Sequence, residues 1–252
     1  MPAVAPSDDL PAPVAGETTR AIAELADDGT SGEDITVTTD TFEVTISSKG
    51  GDINSVKLLQ YPTSLETPDD PFVLMSNSEA QYFVAQSGLQ STSGDAPNHH
   101  AIFNVEKTNY TLDEGQQELK VPLTWQSEEG VTVTKTYTFM RDRYLIDLQY
   151  TIENGSAAPM AFNQYRQLRR KQVTDDETQS FIYTFIGGVS STEEDRYSKI
   201  KFEDFDDPTN QAETLGGWAA IIEHYFLGAW IPDQDERSTC LLYTSPSPRD
   251  RG

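Results

Sequence analysis

A run of strict period-two alternation between residues 119 and 153 constrains this chain more than any other feature. Leu119, Val121, Leu123 and Trp125 fall on one face of an extended backbone, and Glu128-Glu129-Gly130 supplies a turn. Val131, Val133, Tyr137 and Phe139 recur at spacing two, opposed by Thr132, Thr134, Thr136 and Thr138. After Arg141-Asp142-Arg143 the alternation resumes with Tyr144, Ile146, Leu148, Tyr150 and Ile152, until Glu153-Asn154-Gly155-Ser156 closes it. Successive strand side chains point to opposite faces, whereas an amphipathic helix repeats every 3.6 residues. The text therefore predicts three half-buried strands joined by short turns, an antiparallel meander with one face against a second layer. Lys135 interrupts the apolar face. Pro122 has no N–H to give a ladder and marks an edge or a bulge.

The same pattern starts earlier. Ile35 and Val37, then Phe42, Val44 and Ile46, alternate with polar residues before Lys49-Gly50-Gly51-Asp52 turns the chain. Further strands are expected at 101–105, 158–168, 181–187 and 217–231, and helix-periodic stretches are almost absent. The fold class is all-β, an antiparallel sandwich. Residues 1–33 are rich in Pro, Ala, Asp, Gly and Thr and carry too little apolar surface to offset ordering entropy; they read as an acidic, Pro-rich disordered linker. Thr18 to Ala26 could turn briefly helical around Ile22 and Leu25. The last stretch, Cys240 to Asp250, has no period and reads as a translated sequencing-library adaptor. The expected layout is a linker at 1–33, one β domain at 34–236 and a non-native tail at 237–252.

Composition excludes several partners. Forty-one acidic residues against 18 basic ones give a net charge of −23. Such a surface repels nucleic-acid phosphates and anionic lipid headgroups, and fits solubility or a salty medium. Cys240 is the single cysteine; with the tail discounted there is no disulfide, thiolate or cysteine-metal chemistry. No run reaches the roughly 18 to 20 apolar residues that span a bilayer. Met1-Pro-Ala-Val-Ala-Pro has neither the basic start nor the apolar core of a signal peptide.

No motif declares a chemistry. His99-His100 follows Ser-Gly-Asp-Ala-Pro-Asn and reads as a solvated loop rather than a zinc site, which would need three or four ligands. Glu223-His224 is adjacent on a strand, so the two side chains face opposite ways and make a poor acid–base pair. Gly50-Gly51 and Gly187-Gly188 read as turn or bulge glycines, because no Lys-Ser/Thr or helix start follows to make a phosphate cradle. Arg166, Arg169, Arg170 and Lys171 form the one basic cluster and are expected to pair with acidic neighbours. Trp218, Tyr225, Phe226 and Trp230 read as sheet core, with a groove as the alternative. Catalytic, cofactor-binding and metal residues are all expected to be none.

From about Ile35 to Pro232 the strand text resembles the large periplasmic domain of the bacterial membrane protein insertases of the YidC/Oxa/Alb family. The matching phrases include Thr45-Ile-Ser-Ser-Lys-Gly-Gly-Asp-Ile53, Ala85-Gln-Ser-Gly-Leu89, Phe103-Asn-Val-Glu-Lys107 and Gly115-Gln-Gln-Glu-Leu-Lys-Val-Pro122. Arg196-Tyr-Ser-Lys-Ile-Lys-Phe202, Gly216-Gly-Trp218 and Ala229-Trp-Ile-Pro232 continue them in order. The resemblance implies a mutarotase-like two-sheet β-supersandwich, incomplete at its C-terminus, in a protein of the cell inner membrane whose clients are nascent membrane proteins. It implies docking to accessory subunits of the Sec translocon and no nucleotide, metal or redox cofactor. The arginine of the family's intramembrane groove has no counterpart here; Arg166, Arg169 and Arg170 lie in the β domain. A carbohydrate-binding or mutarotase-like sandwich remains open on the aromatic strands between Trp218 and Trp230, as does a binder of unfolded clients.

Overall fold

The computed structural model describes residues 31–92, 95–171, 185–205, 212–223 and 225–242. They form two compact units, one of residues up to 79 with 84–167, the other of residues 80–83 with 168 onward. The chain is all-β, in antiparallel sheets with a sandwich-like arrangement.

The first unit opens with β1 (Asp34–Thr38), β2 (Phe42–Ser47), β3 (Ile53–Ser64), β4 (Thr67–Met75) and β5 (Phe83–Ser91). It continues with β6 (Asn109–Thr111), β7 (Glu118–Gln126), β8 (Val131–Met140), β9 (Ile146–Asn154) and β10 (Phe162–Arg170), although Phe83 at the start of β5 and Leu168 to Arg170 at the end of β10 belong to the second unit. One sheet runs β10-β5-β3-β2-β1-β6, with β4 on β3. All its pairs with a resolved register are antiparallel except β1 with β6. The other sheet is the predicted meander β7-β8-β9, in unbroken register from Glu118↔Met140 to Gln126↔Thr132 and from Val131↔Asn154 to Phe139↔Ile146.

The two sheets meet through their alternating inner faces. Along β8, residues 131, 133, 135, 137 and 139 are buried while the intervening threonines are partly exposed. Leu89 of β5 packs against Val131 and Val133 of β8, with Trp125, Tyr150, Met160 and Phe162 around them. Each such side chain taken fully out of water contributes about 1.5–3 kcal/mol, so the alternation itself drives the layers together. Pro122 lies on β7, an edge strand of its sheet.

The second unit holds β11 (Gly187–Ser191), β12 (Ser198–Ile200), β13 (Ala212–Leu215), β14 (Trp218–Glu223), β15 (Phe226–Trp230) and β16 (Arg237–Cys240). A four-stranded sheet runs β12-β11-β14-β15, and β13 pairs with β16 from Ala212↔Cys240 to Leu215↔Arg237. A short 3-10 turn covers Phe202–Asp204.

Several expectations shift. Residues 101–105 make two isolated bridges, Lys49↔Ile102 and Asn104↔Thr124, because the segment changes partner midway from one sheet to the other. The stretch 217–231 is a hairpin, two strands rather than one. Gly187 and Gly188 are not turn glycines: they sit inside β11, where a Cβ on Gly187 would come within 2.7 Å of the Ile200 carbonyl oxygen and of the Phe185 ring. Close packing, not backbone conformation, excludes a side chain there. Thr18 to Ala26, residues 181–184 and His224 lie outside the described residues.

Candidate functional site

The period that buries Val133 and Tyr137 on β8 also buries Lys135, which has no solvent exposure at all. Its ammonium donates to the Gly50 carbonyl oxygen at 2.8 Å and to that of Ser87, on β5, at 3.1 Å. Tyr137 donates its hydroxyl to the Gly51 carbonyl oxygen at 2.6 Å. Lys135 and Tyr137 thus hold the turn between β2 and β3 by two successive carbonyls. That turn needs glycine: Gly50 has φ +72° and Gly51 φ +63°. A Cβ on Gly51 would come within 2.9 Å of the Lys135 chain. The Lys135 ammonium also lies 5.5 and 5.7 Å from the ring centres of Tyr137 and Tyr150, within reach of cation–π attraction.

Asp52 follows this turn and is buried. Gln86 donates to its Oδ2 at 2.7 Å, and Gln167 donates to the Gln86 side-chain carbonyl at 2.8 Å. Ser87 Oγ and the Tyr150 hydroxyl share a hydrogen bond at 3.1 Å. Desolvation by burial pushes the Asp52 carboxyl up, opposed by the fields of Lys135 and His99. Desolvation drops Lys135 from 10.5 to about 8, opposed by Asp52. Burial likewise raises Tyr137 and Tyr150 above the ordinary phenol range.

A lysine near 8 has the basicity of a nucleophile or general base. Such roles require a substrate to reach the amine, and this one is enclosed by two sheets with both neighbouring carbonyls already accepting its protons. The cluster acts as a strut between layers.

His99 is not in a solvated loop. It is buried, its backbone N–H donating to the Tyr165 hydroxyl at 2.9 Å and its Nδ1 lying 2.6 Å from the same oxygen. The glycine at 88 makes room, since a Cβ there would stand 2.6 Å from the Tyr165 hydroxyl. In the second unit Arg170 pairs with Glu223 at 2.7 Å, both largely buried, and its guanidinium lies 5.3 Å from the Phe83 ring centre. Arg170 therefore pairs with an acidic residue as expected, and Arg166 donates to Gln164 at 3.1 Å. Tyr225, expected in the sheet core, is 79% exposed at the β14–β15 turn. Trp218, Phe226 and Trp230 are partly buried.

Among the described residues, no group of three or more His, Cys, Asp or Glu side chains could hold a metal ion. No helix among them is long and apolar enough to cross a membrane. In the sequence Lys135 stands out only as a break in the apolar face. Its inward parity on β8 is the available signal, and Asp52 and Gln86 have none, since their partnership depends on how the sheets stack.

With this geometry in view, comparison with known proteins is direct. The family model of the YidC periplasmic domain matches residues 34–248. A membrane protein insertase YidC of Methylococcus capsulatus is 44% identical over 206 residues, covering 81% of this chain and 38% of that protein. That of Thioalkalivibrio sulfidiphilus is 42% identical over 239 residues, 92% of this chain and 42% of the relative. That of Alkalilimnicola ehrlichii is 42% identical over 203 residues, 80% of this chain and 36% of the relative. The chain therefore spans about two-fifths of the length of these relatives. By its matched residues and its all-β fold, this chain belongs to the YidC periplasmic domain family.

Proposed function

We propose that this chain is the periplasmic part of a membrane protein insertase, a non-enzymatic machine of the inner membrane whose clients are nascent integral membrane proteins. The observation that carries the reading is the family match over residues 34–248, which covers the β strands from β1 to β16. Insertion itself would belong to membrane-spanning parts of the full-length protein. The β domain would position the machine and dock accessory subunits of the Sec translocon. The acidic surface supports a protein partner over an anionic lipid surface. The linker at 1–33 would give the domain reach on its membrane anchor.

Two experiments in cells depleted of their own insertase test this reading. A full-length relative carrying residues 34–242 in place of its own periplasmic domain should restore insertion of a client, read by protease protection of the client's translocated loop. Failure of the swapped protein, at normal abundance, would sink the insertase reading. In the same cells, photocrosslinkers placed on exposed positions of the β domain should capture Sec accessory subunits. Crosslinks to unrelated proteins alone would remove the docking role while leaving the family assignment intact.

A further inference from the structure

Three buried polar groups of the first unit stop short of satisfying one another. The Asp52 carboxyl is held through one oxygen: Gln86 donates to Oδ2, while Oδ1, also buried, has no donor. The Lys135 ammonium has three protons and places two, on the carbonyls of Gly50 and Ser87. The Ser87 and Tyr150 hydroxyls share a single hydrogen bond, which leaves one of their two protons uncommitted. These groups are close neighbours. Ser87 accepts from Lys135 at its carbonyl and turns its backbone N–H toward the Asp52 carboxyl. The Tyr150 ring centre lies 5.7 Å from the ammonium. Among the described residues, Asp52 and Lys135 nevertheless form no direct ion pair. Each is tied elsewhere, Lys135 by its two carbonyls and Asp52 through Gln86, which Gln167 holds in turn.

We propose that one internal water molecule joins these groups, accepting from the third N–H of Lys135 and donating to Asp52 Oδ1. The spare hydroxyl proton of the Ser87–Tyr150 pair gives its third contact, the usual number for a buried water. Charge selects this occupant. A cation at that place would face the Lys135 ammonium, and an anion would face the Asp52 carboxylate. An apolar group would leave a buried charge on each side without its hydrogen bond. What is required is a small neutral molecule that donates and accepts at once, and water is the smallest that does both. The water carries the attraction between two opposite charges that the protein itself keeps from touching. It thereby adds a third tie between β8 and the β2–β3 turn, beside the bonds that Lys135 and Tyr137 make to Gly50 and Gly51. The site rests on side-chain geometry within the β domain and is independent of the insertase reading.

A crystal structure of the 252-residue chain, at a resolution that shows ordered solvent, decides it directly. One water peak should lie within about 2.7–3.2 Å of both Lys135 Nζ and Asp52 Oδ1. A direct Lys135–Asp52 ion pair, or a protein group occupying that place, would overturn the proposal. So would the lack of any peak between them. Oxygen-17 magnetic relaxation dispersion supplies the solution arm, because it counts water molecules that stay on the protein far longer than surface ones. Lys135→Met should remove one long-lived water relative to wild type, with circular dichroism confirming that the variant is folded. Thr134→Val, on the outward face of the same strand, should keep the full count. An unchanged count in Lys135→Met, or an equal loss in Thr134→Val, would refute the site. The wild-type crystal depends on no substitution, so the proposal stays open to refutation if Lys135→Met fails to fold.

Discussion

Replacing Lys135 by Met tests the strongest energetic consequence of this fold. The wild-type lysine is fully buried and titrates at about 8 instead of 10.5. Each tenfold loss of proton affinity corresponds to about 1.4 kcal/mol, so at neutral pH burying the charged amine costs about 3 kcal/mol relative to burying it neutral. Its removal also strips hydrogen bonds from the carbonyls of Gly50 and Ser87, each orphan costing about 1–3 kcal/mol. These contributions oppose one another near pH 7, so the pH dependence rather than the neutral value carries the test. Because the folded pKa lies below the unfolded one, the unfolded chain binds more protons between about 8 and 10.5. Stability conferred by Lys135 must therefore rise with pH through that window. Between about pH 7 and about pH 9.5 the expected gain of wild type over the Met variant is about 2 kcal/mol, from the binding polynomials of the two states. Urea unfolding followed by circular dichroism would show it as a relative midpoint change of about 1 M. Staying below pH 10 keeps out Tyr137 and Tyr150, whose raised pKa values make stability fall at still higher pH. Asp52, raised above its ordinary 3.8, acts on the acid side, where its contribution is lost as pH climbs through its folded pKa. A wild-type-minus-Met difference that stays flat from pH 7 to 9.5 would refute the claim that burial lowers the proton affinity of this amine.

Two further perturbations separate packing from backbone conformation and charge from shape. Gly50→Ala should destabilise by about 2–4 kcal/mol in thermal or urea melts, because a Cβ would approach the His99 carbonyl oxygen to 2.5 Å at φ +72°. Gly115→Ala, at φ +87° with nothing within 4 Å, should lose only the conformational part, about 1 kcal/mol; equal losses at the two sites would deny the clash its role. Arg170→Met should cost about 3–5 kcal/mol by leaving the Glu223 carboxylate buried without its cation. Adding Glu223→Leu should recover a substantial part of that loss, and strict additivity of the two would mean that the pair is not coupled.

How much of this is legible in the sequence depends on the range of the interaction involved. The meander of β7, β8 and β9 is readable to within about two residues because its signal is local: alternation, and turns marked by Gly130 and Asn154-Gly155. The full extent of β3, and β4 and β5 with it, escapes such a reading for a physical reason. The distal half of β3, from Leu59 to Ser64, and the start of β4, from Thr67 to Asp70, are exposed, so no burial pattern is written into them. β5 is buried along both faces from Phe83 to Leu89, so alternation is lost there too. His99 misleads because the Asn and Pro before it signal a loop correctly, while its burial comes from Tyr165, sixty-six residues on. Charges follow the same division. The pairing of Arg170 is foreseeable as a class, yet Glu223 as its partner is set only by how β14 and β15 fold back.

The persistence of a costly lysine in this core follows from the weakness of alternation as a specifying signal. Threonine occupies every outward position from 132 to 138 on β8 and is itself a good strand former, so a slipped register would still make a passable strand. Valine and threonine have nearly the same shape, and packing alone separates the two registers modestly. Lys135 makes the separation large. A slip of one residue would turn its ammonium outward, leave the carbonyls of Gly50 and Ser87 unpaired, and strip Asp52 of its neighbouring cation. Tyr137 adds the same penalty at Gly51. The two residues sit two apart on one strand and hold two adjacent carbonyls of one turn in the opposite sheet, so they fix the sheets along the strand direction as well as across the gap. The spacing of residues on the outer faces of these strands is thereby set by the register inside.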